Sequence, residues 1–349
     1  MKLDPHSVRR WIRWPLWLLS PLGSGHDFRN NPVIGSALLN RAGLHVLRLL
    51  TARTMTAWRR LWLRSLLSQE LRESYARDGF VLIPDLLSAA DFDALRREVY
   101  GASGEVRECI QGDTLTHRLL LDHVTLPTLP SLQSLLARPP FAGAVRYIGA
   151  SNSEPLHYVQ SIRNGVREGS PDPQKVLHSD TFHPTVKAWF FLHEVTAGHG
   201  PFTYVPGSHR LSLARLRWEY RRSVVASRLR DGYSEKGSFR VDEAELPSLG
   251  LPPPRAFTVP ANTLVVADTC GMHCRGNAAP GARRLEIWAY SRLNPFNPWP
   301  GINSSFRGRL FTTLLRQKWD RLDRQAAAKG ELSSWHRVPS VELHRDCSP

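Results

Sequence analysis

Long apolar runs are the first thing this 349-residue chain lacks. No stretch reaches the ~20 consecutive apolar residues that a membrane-spanning helix needs. The longest candidate, 14–23 (WPLWLLSPLG), is short and broken by Pro15 and Pro21. SVRRWI (7–12) just before it has the look of a twin-arginine export signal. The apolar region behind it is poor and no A-x-A site follows, so export is not expected. Cysteine is scarce too: four residues and no CxxC pair make no disulfide framework, and a reducing, cytoplasmic setting is the expectation. Repeats and low-complexity tracts are missing. So are zinc-finger, helix-turn-helix and RNP-like patterns, which argues against nucleic acid as a partner despite the basic balance.

Acidic residues are few: 31 Asp+Glu against 46 Lys+Arg, a formal charge of +15. With 42% hydrophobic and 22% charged residues the chain is otherwise of ordinary globular composition. The charge is unevenly spread. Residues 1–69 hold eleven Lys/Arg, two acids and five of the eleven tryptophans. Trp and Arg together suit a bilayer interface, so this basic N-terminal extension is a candidate for peripheral contact with the inner face of the cytoplasmic membrane. At ~100° per residue, 44–66 reads as an amphipathic helix. Leu44, Leu47, Leu50, Met55, Trp58, Leu61, Trp62 and Leu66 fall on one side; Arg41 just before it, Arg48, Arg53, Arg59, Arg60 and Arg64 fall on the other. Two readings stay open: the apolar side docks on the main domain and leaves the arginines in solvent, or the helix lies on a membrane.

From about residue 155 short β-rich runs alternate with Gly and Pro, among them 155–162, 186–195, 201–206, 256–260, 262–268 and 284–293. That texture predicts a mostly β domain of sandwich or barrel type with flanking helices, an α+β arrangement over 70–300. Helices are expected at 70–78 and after Ser88, a capping residue with Asp91 three positions on. A basic insertion, 211–255, carries seven arginines between Arg210 and Arg230. A last amphipathic helix over 305–328 is expected to pack on the barrel exterior, within a C-terminal region 301–349.

The chemistry concentrates in LHSDTFHP. On a strand, His178 and Asp180 would leave the same face. With His273, directly after NTLVVAD (262–268), they make two histidines and a carboxylate, a set that holds non-haem Fe(II) and leaves positions open. Arg283 and Arg284 follow ten and eleven residues later; a guanidinium meets the free carboxylate of chelated 2-oxoglutarate with two parallel hydrogen bonds. Zinc on Cys270, His273 and Cys274 lacks a fourth ligand and is not expected.

In these residues the chain resembles the phytanoyl-CoA dioxygenase family of Fe(II)/2-oxoglutarate oxygenases. The resemblance rests on DGFVLIPDLLSAADFDALRREV (78–99), HSD (178–180), WFFLHEVTAGHGPFTYVPGSHR (189–210) and HCRGNAAPGARR (273–284), and spans about 70–293. It implies a double-stranded β-helix, a jelly-roll or cupin-like barrel. It implies His178, Asp180 and His273 as iron ligands, 2-oxoglutarate and O2 as cosubstrates, and Arg284 as the 2-oxoglutarate anchor. Strand parity keeps Arg283 as the alternative, and Gln160 is a further candidate contact. Arg275 stands where relatives often have a small hydroxyl residue. Because halogenating relatives lack the carboxylate, Asp180 implies hydroxylation. His183 and Lys187 could face substrate or solvent; Trp189 could be core or pocket wall; His209 reads as structural. The basic segments imply an anionic, lipid-linked substrate, such as a Kdo-bearing lipid A precursor or an acyl-CoA. A non-catalytic binding barrel and a cupin-type isomerase or hydrolase remain as alternatives.

Overall fold

The structure, a computed structural model, describes residues 15–340. SVRRWI, Trp11, Trp14 and Cys347 lie outside the described residues. Helices α1 (Ala37–Arg41) and α2 (Leu44–Leu63) lead to α3 (Gln69–Asp78), strand β1 (Phe80–Ile83) and α4 (Ala89–Tyr100). Ser68 and Ser88 cap α3 and α4 through their hydroxyls, the second as the sequence predicts. Strands β2 (Val106–Gln111) and β3 (Thr114–Leu120), helices α5 (Pro130–Ala137) and α6 (Pro139–Ile148), then β4 (Leu156–Asn164), β5 (Val186–Phe191) and β6 (Phe202–Tyr204) follow. After α7 (Leu213–Val225) come β7 (Arg255–Ala256), β8 (Thr263–Asp268), β9 (His273–Arg275), β10 (Arg283–Ser291), α8 (Ser305–Ala327) and β11 (His336–Val338).

The strands form two antiparallel sheets, one ordered β1-β8-β5-β10-β4-β3-β2-β11 and a small one ordered β7-β6-β9. This is the expected double-stranded β-helix. The centre of the large sheet is buried on both faces, which is why β5 runs apolar without alternation over 188–191. Ala188 and Phe190 pack outward against α3–α6, while Trp189 and Phe191 face the barrel interior with Phe202, Tyr204 and Trp288.

Helix α2 reverses the first of the two sequence-based readings, in which its apolar side docks and its arginines stay in solvent. Its buried face carries His45, Arg48, Leu49, Ala52, Thr56, Arg59 and Leu63, whereas Leu47, Leu50, Trp58, Leu61 and Trp62 are exposed. Each of four arginines meets groups that need a donor. Arg48 donates to the carbonyls of Pro21 and Gly23, and Arg59 to those of Ala150 and Asn297. Arg53 donates to the His209 carbonyl at 2.7 Å, and Arg60 to the Ile148 carbonyl at 2.6 Å and to Asp268. Loop carbonyls without a ladder partner must be hydrogen-bonded when buried, and a guanidinium supplies several donors at once. Residues 37–66 therefore belong to the body of the domain instead of forming an appendage.

The basic insertion is corrected in the same way. Arg215 is buried against Glu219, Arg222 pairs with Glu245, and no arginine of 210–230 lines the cavity described below. Helix α8 buries no residue fully; Leu310, Leu314 and Leu322 stay exposed, and Arg316 ties it to Asp122 and Glu105.

Candidate metal centre and its cavity

His178 and Asp180 do not lie on a strand, contrary to the sequence-based expectation. His178 forms an isolated antiparallel bridge with His273, each amide donating to the other's carbonyl at 2.9 and 2.8 Å. Asp180 is held by its own amide donating to the Thr269 carbonyl at 2.9 Å. These backbone bonds bring together residues 95 positions apart. His178 Nε2 and His273 Nε2 each stand 3.7 Å from Asp180 Oδ1. That is within the ~4.2 Å that two metal–ligand bonds of about 2.1 Å can span. Among the described residues this is the one group of three or more His, Cys, Asp or Glu side chains close enough to hold a metal.

The donor set fits a divalent cation. His178 Nδ1 donates to the Val176 carbonyl at 2.7 Å and His273 Nδ1 to the Gly271 carbonyl at 3.0 Å. These bonds fix both tautomers and turn each Nε2 lone pair toward the centre. Both Nε2 atoms are buried without a hydrogen-bond partner, an arrangement that costs about 1–3 kcal/mol per group unless something satisfies it. Burial, then the neighbouring His273, pushes His178 well below its ordinary pKa, and burial takes His273 down to about 4. Both are therefore neutral, the ligating form. Burial alone would raise Asp180; Lys187, with Nζ 2.7 Å from Oδ2, outweighs it and keeps the carboxylate ionised.

The centre lines a cavity of about 460 Å³. Arg284 and Trp288 line it, with Glu286 fully buried between them on the same side of the strand, while Leu285 and Ile287 join the outer core. Parity thus places Arg284 in the cavity, and Arg283, half-buried, is absent from the lining. Arg284 Nε donates to Glu286 Oε2 at 2.7 Å and its Nη1 to the Gly200 carbonyl. Gln160 also lines the cavity, its amide oxygen and nitrogen engaged by Arg118 and Glu286. Lys187 lines the wall; His183 is buried and outside the lining. Trp189 is both core and wall, stacked on Phe202 at 4.1 Å. Arg275 reaches the wall paired with Asp172. His209 packs against Tyr75 and is structural, as expected.

Three contributors escaped the sequence reading. Asp268, ending β8, accepts from Tyr75, Arg60 and the amides of Thr185 and Cys270, and so anchors the turn before His273. Arg118 on β3 and Trp335 beyond α8 complete the cavity wall. An Asp closing an apolar run was a usable signal for the first. Nothing local marks the other two.

A family model for phytanoyl-CoA dioxygenase matches residues 75–241. The ectoine dioxygenase of Bordetella bronchiseptica is 30% identical over 258 residues, 66% of this chain and 78% of that protein. The ectoine dioxygenase of Bordetella parapertussis is 29% identical over the same length. Among solved structures, the non-heme alpha ketoglutarate dependent epimerase SnoN from nogalamycin biosynthesis is similar at TM-score 0.42 and 20% identity, covering 66% of this chain and 84% of that one. HygX from Streptomyces hygroscopicus, with nickel, 2-oxoglutarate and hygromycin B bound, gives TM-score 0.39 and 18% identity, covering 65% and 88%. With two imidazoles and a carboxylate converging in a barrel of this topology, and a relative at this identity, the chain belongs to the phytanoyl-CoA dioxygenase family of Fe(II)/2-oxoglutarate-dependent dioxygenases.

Proposed function

We propose that this dioxygenase hydroxylates an anionic, lipid-linked small molecule, with His178, Asp180 and His273 as iron ligands and Arg284 as the partner of the distal 2-oxoglutarate carboxylate. The observation that carries it is the pair of buried, unpartnered Nε2 atoms facing Asp180 Oδ1. Ferrous iron with 2-oxoglutarate supplies the oxidising chemistry when bound. The chain's own part is positional. Val176 and Gly271 hold the imidazole tautomers, Lys187 keeps Asp180 ionised, and the Trp189, Phe202 and Trp288 rings keep the cavity dry on one side. The test is succinate release from 2-oxoglutarate with Fe(II), run without substrate and with candidates that include ectoine, an acyl-CoA and a Kdo-bearing glycolipid. Wild type releases succinate and His178→Ala and Asp180→Gly do not; equal turnover in all three refutes the ligand set, and no turnover in any favours a binding barrel.

The lipid link rests on what α2 leaves uncovered. Trp58, Trp62 and Trp299 form one exposed aromatic row, with ring centres 6.1 and 5.7 Å apart, flanked by exposed Leu47, Leu50, Leu61 and Ile302. Arg48, Arg53, Arg59 and Arg60 point inward, and the other seven cations up to residue 69, against two acids, are the complement of an anionic headgroup layer. No helix among the described residues is long and apolar enough to cross a membrane. Flotation with phosphatidylglycerol vesicles is expected for the wild type. Loss of flotation in Trp58→Ser/Leu61→Ser/Trp62→Ser supports the reading, and unchanged flotation refutes it. Deleting 1–69 is the wrong test, because Asp268 would lose Arg60.

A further inference from the structure

Across β3, β4 and β10, Arg118, Gln160 and Glu286 stand opposite one another in register. Arg118 Nε donates to Gln160 Oε1 at 2.6 Å, Gln160 Nε2 to Glu286 Oε1 at 2.6 Å, and Glu286 Oε2 takes Arg284. The single carboxylate in this row is therefore matched by Arg284. Arg275 is matched by Asp172 and Lys187 by Asp180. Arg292 directs its guanidinium to the Ser24 carbonyl and the His26 ring. Arg118 and Arg292 are the two of these five cavity cations without a carboxylate in ion-pair reach among the described residues; Arg292 is spent on a carbonyl and an imidazole, whereas Arg118 gives its Nε hydrogen bond to the neutral Gln160. Its guanidinium carbon lies 4.1 Å from the ring centre of Trp288, 4.6 Å from Trp335 and 5.5 Å from Tyr158. Stacking of this kind holds a guanidinium by its faces and leaves its edge for a planar or tetrahedral anion.

We propose that Arg118 is the receptor for a carboxylate or phosphate group of the molecule that is oxidised, gripped at its edge while Trp288 and Trp335 hold its plane. The C-terminal segment is part of this receptor. Trp335 is placed by its carbonyl, which accepts from Arg107 at 3.1 Å, and by the pairing of β11 with β2. A low-dielectric, aromatic surround makes such a charge-assisted bond stronger than it is in water. The assignment rests on the oxygenase reading, in which 2-oxoglutarate uses Arg284 instead.

The experiment titrates protein loaded with Fe(II) and 2-oxoglutarate under nitrogen, by calorimetry, with benzoate, phenyl phosphate and neutral benzyl alcohol. Wild type is expected to prefer at least one anion over the alcohol by about tenfold or more. Arg118→Gln, which can keep a hydrogen bond to Gln160, is expected to lose that preference while 2-oxoglutarate affinity stays unchanged. Trp335→Leu weakens the anion without touching the alcohol. Equal anion affinity in wild type and Arg118→Gln overturns the assignment, as does absence of anion binding to the wild type. A loss confined to 2-oxoglutarate overturns it too, by moving Arg118 to the cosubstrate. Should the wild type release no succinate, the oxygenase reading fails on its own, and the same titrations on metal-free protein still decide the anion site.

Discussion

Two side chains two residues apart on β10, Arg284 in the cavity wall and Glu286 behind it, hold each other, and both are almost fully buried. Removing one leaves the other as an unpaired buried charge, which costs about 3–5 kcal/mol. Arg284→Ala is therefore expected to lower unfolding stability by about that amount and to raise the KM for 2-oxoglutarate. Arg284→Ala combined with Glu286→Gln should recover most of the stability and none of the KM. Urea titration beside 2-oxoglutarate kinetics separates the two effects; a KM that recovers together with stability removes Arg284 from the cosubstrate site. The proposed iron ligands offer a parallel check. Metal that binds only the folded state raises stability, by about 2.7 kcal/mol at a hundred times Kd. Adding Mn(II) under anaerobic conditions should raise the Tm of the wild type and leave that of His178→Ala where it is.

At the scale of elements, α2 inverts the usual relation between polarity and burial. Arg59 satisfies backbone carbonyls at two places, Ala150 and the 294–297 turn. Arg59→Met keeps most of the volume but leaves those carbonyls bare, at about 1–3 kcal/mol for each group. Leu61→Ser on the opposite face should change stability by no more than about 0.5 kcal/mol. Chemical denaturation of both variants tests the inversion; a larger loss for Leu61→Ser would mean the apolar side is the docked one. Helix periodicity finds the two faces of α2 correctly, since it depends only on 3.6 residues per turn. It cannot choose which face is inside. That depends on how many unsatisfied carbonyls the neighbouring loops present, and those loops lie 90 to 240 residues away.

For the molecule as a whole, buried neutral histidines set the response to acid. Burial, then Arg146, lowers His157 to about 4, and burial takes His209 to about 3. Unfolded, each would titrate near 6.5. The unfolded chain thus binds more protons between these values, and stability must rise with pH across that window. It is full above pH 6.5 and falls on acidification toward pH 4, by about 3 kcal/mol from His157 alone. Glu219 runs below that. Burial opposes its ionisation, but Arg215 and His45 hold it at about 2, so its contribution is lost as pH falls from about 4.5 toward 2. Urea midpoints at pH 8, 6 and 4.5 should fall in that order, and a flat profile would show the histidines charged in the fold.

Sequence alone determined a β domain of sandwich or barrel type, the helices α3 and α4 with the Ser88 cap, and, through the family resemblance, the double-stranded β-helix with His178, Asp180 and His273 as the candidate ligands. Short apolar runs set off by Gly and Pro, capping side chains and ligand type are local chemistry, legible wherever they occur. Tertiary structure decided the rest: that HxD sits in a bridged loop, that Arg284 and not Arg283 faces inward, that α2 buries its arginines, and that Arg118 meets Trp335. Each of these depends on which distant backbone groups and rings come within a few ångströms. Packing chooses those neighbours, since the free energy of a buried cation depends on what surrounds it and not on its place along the chain.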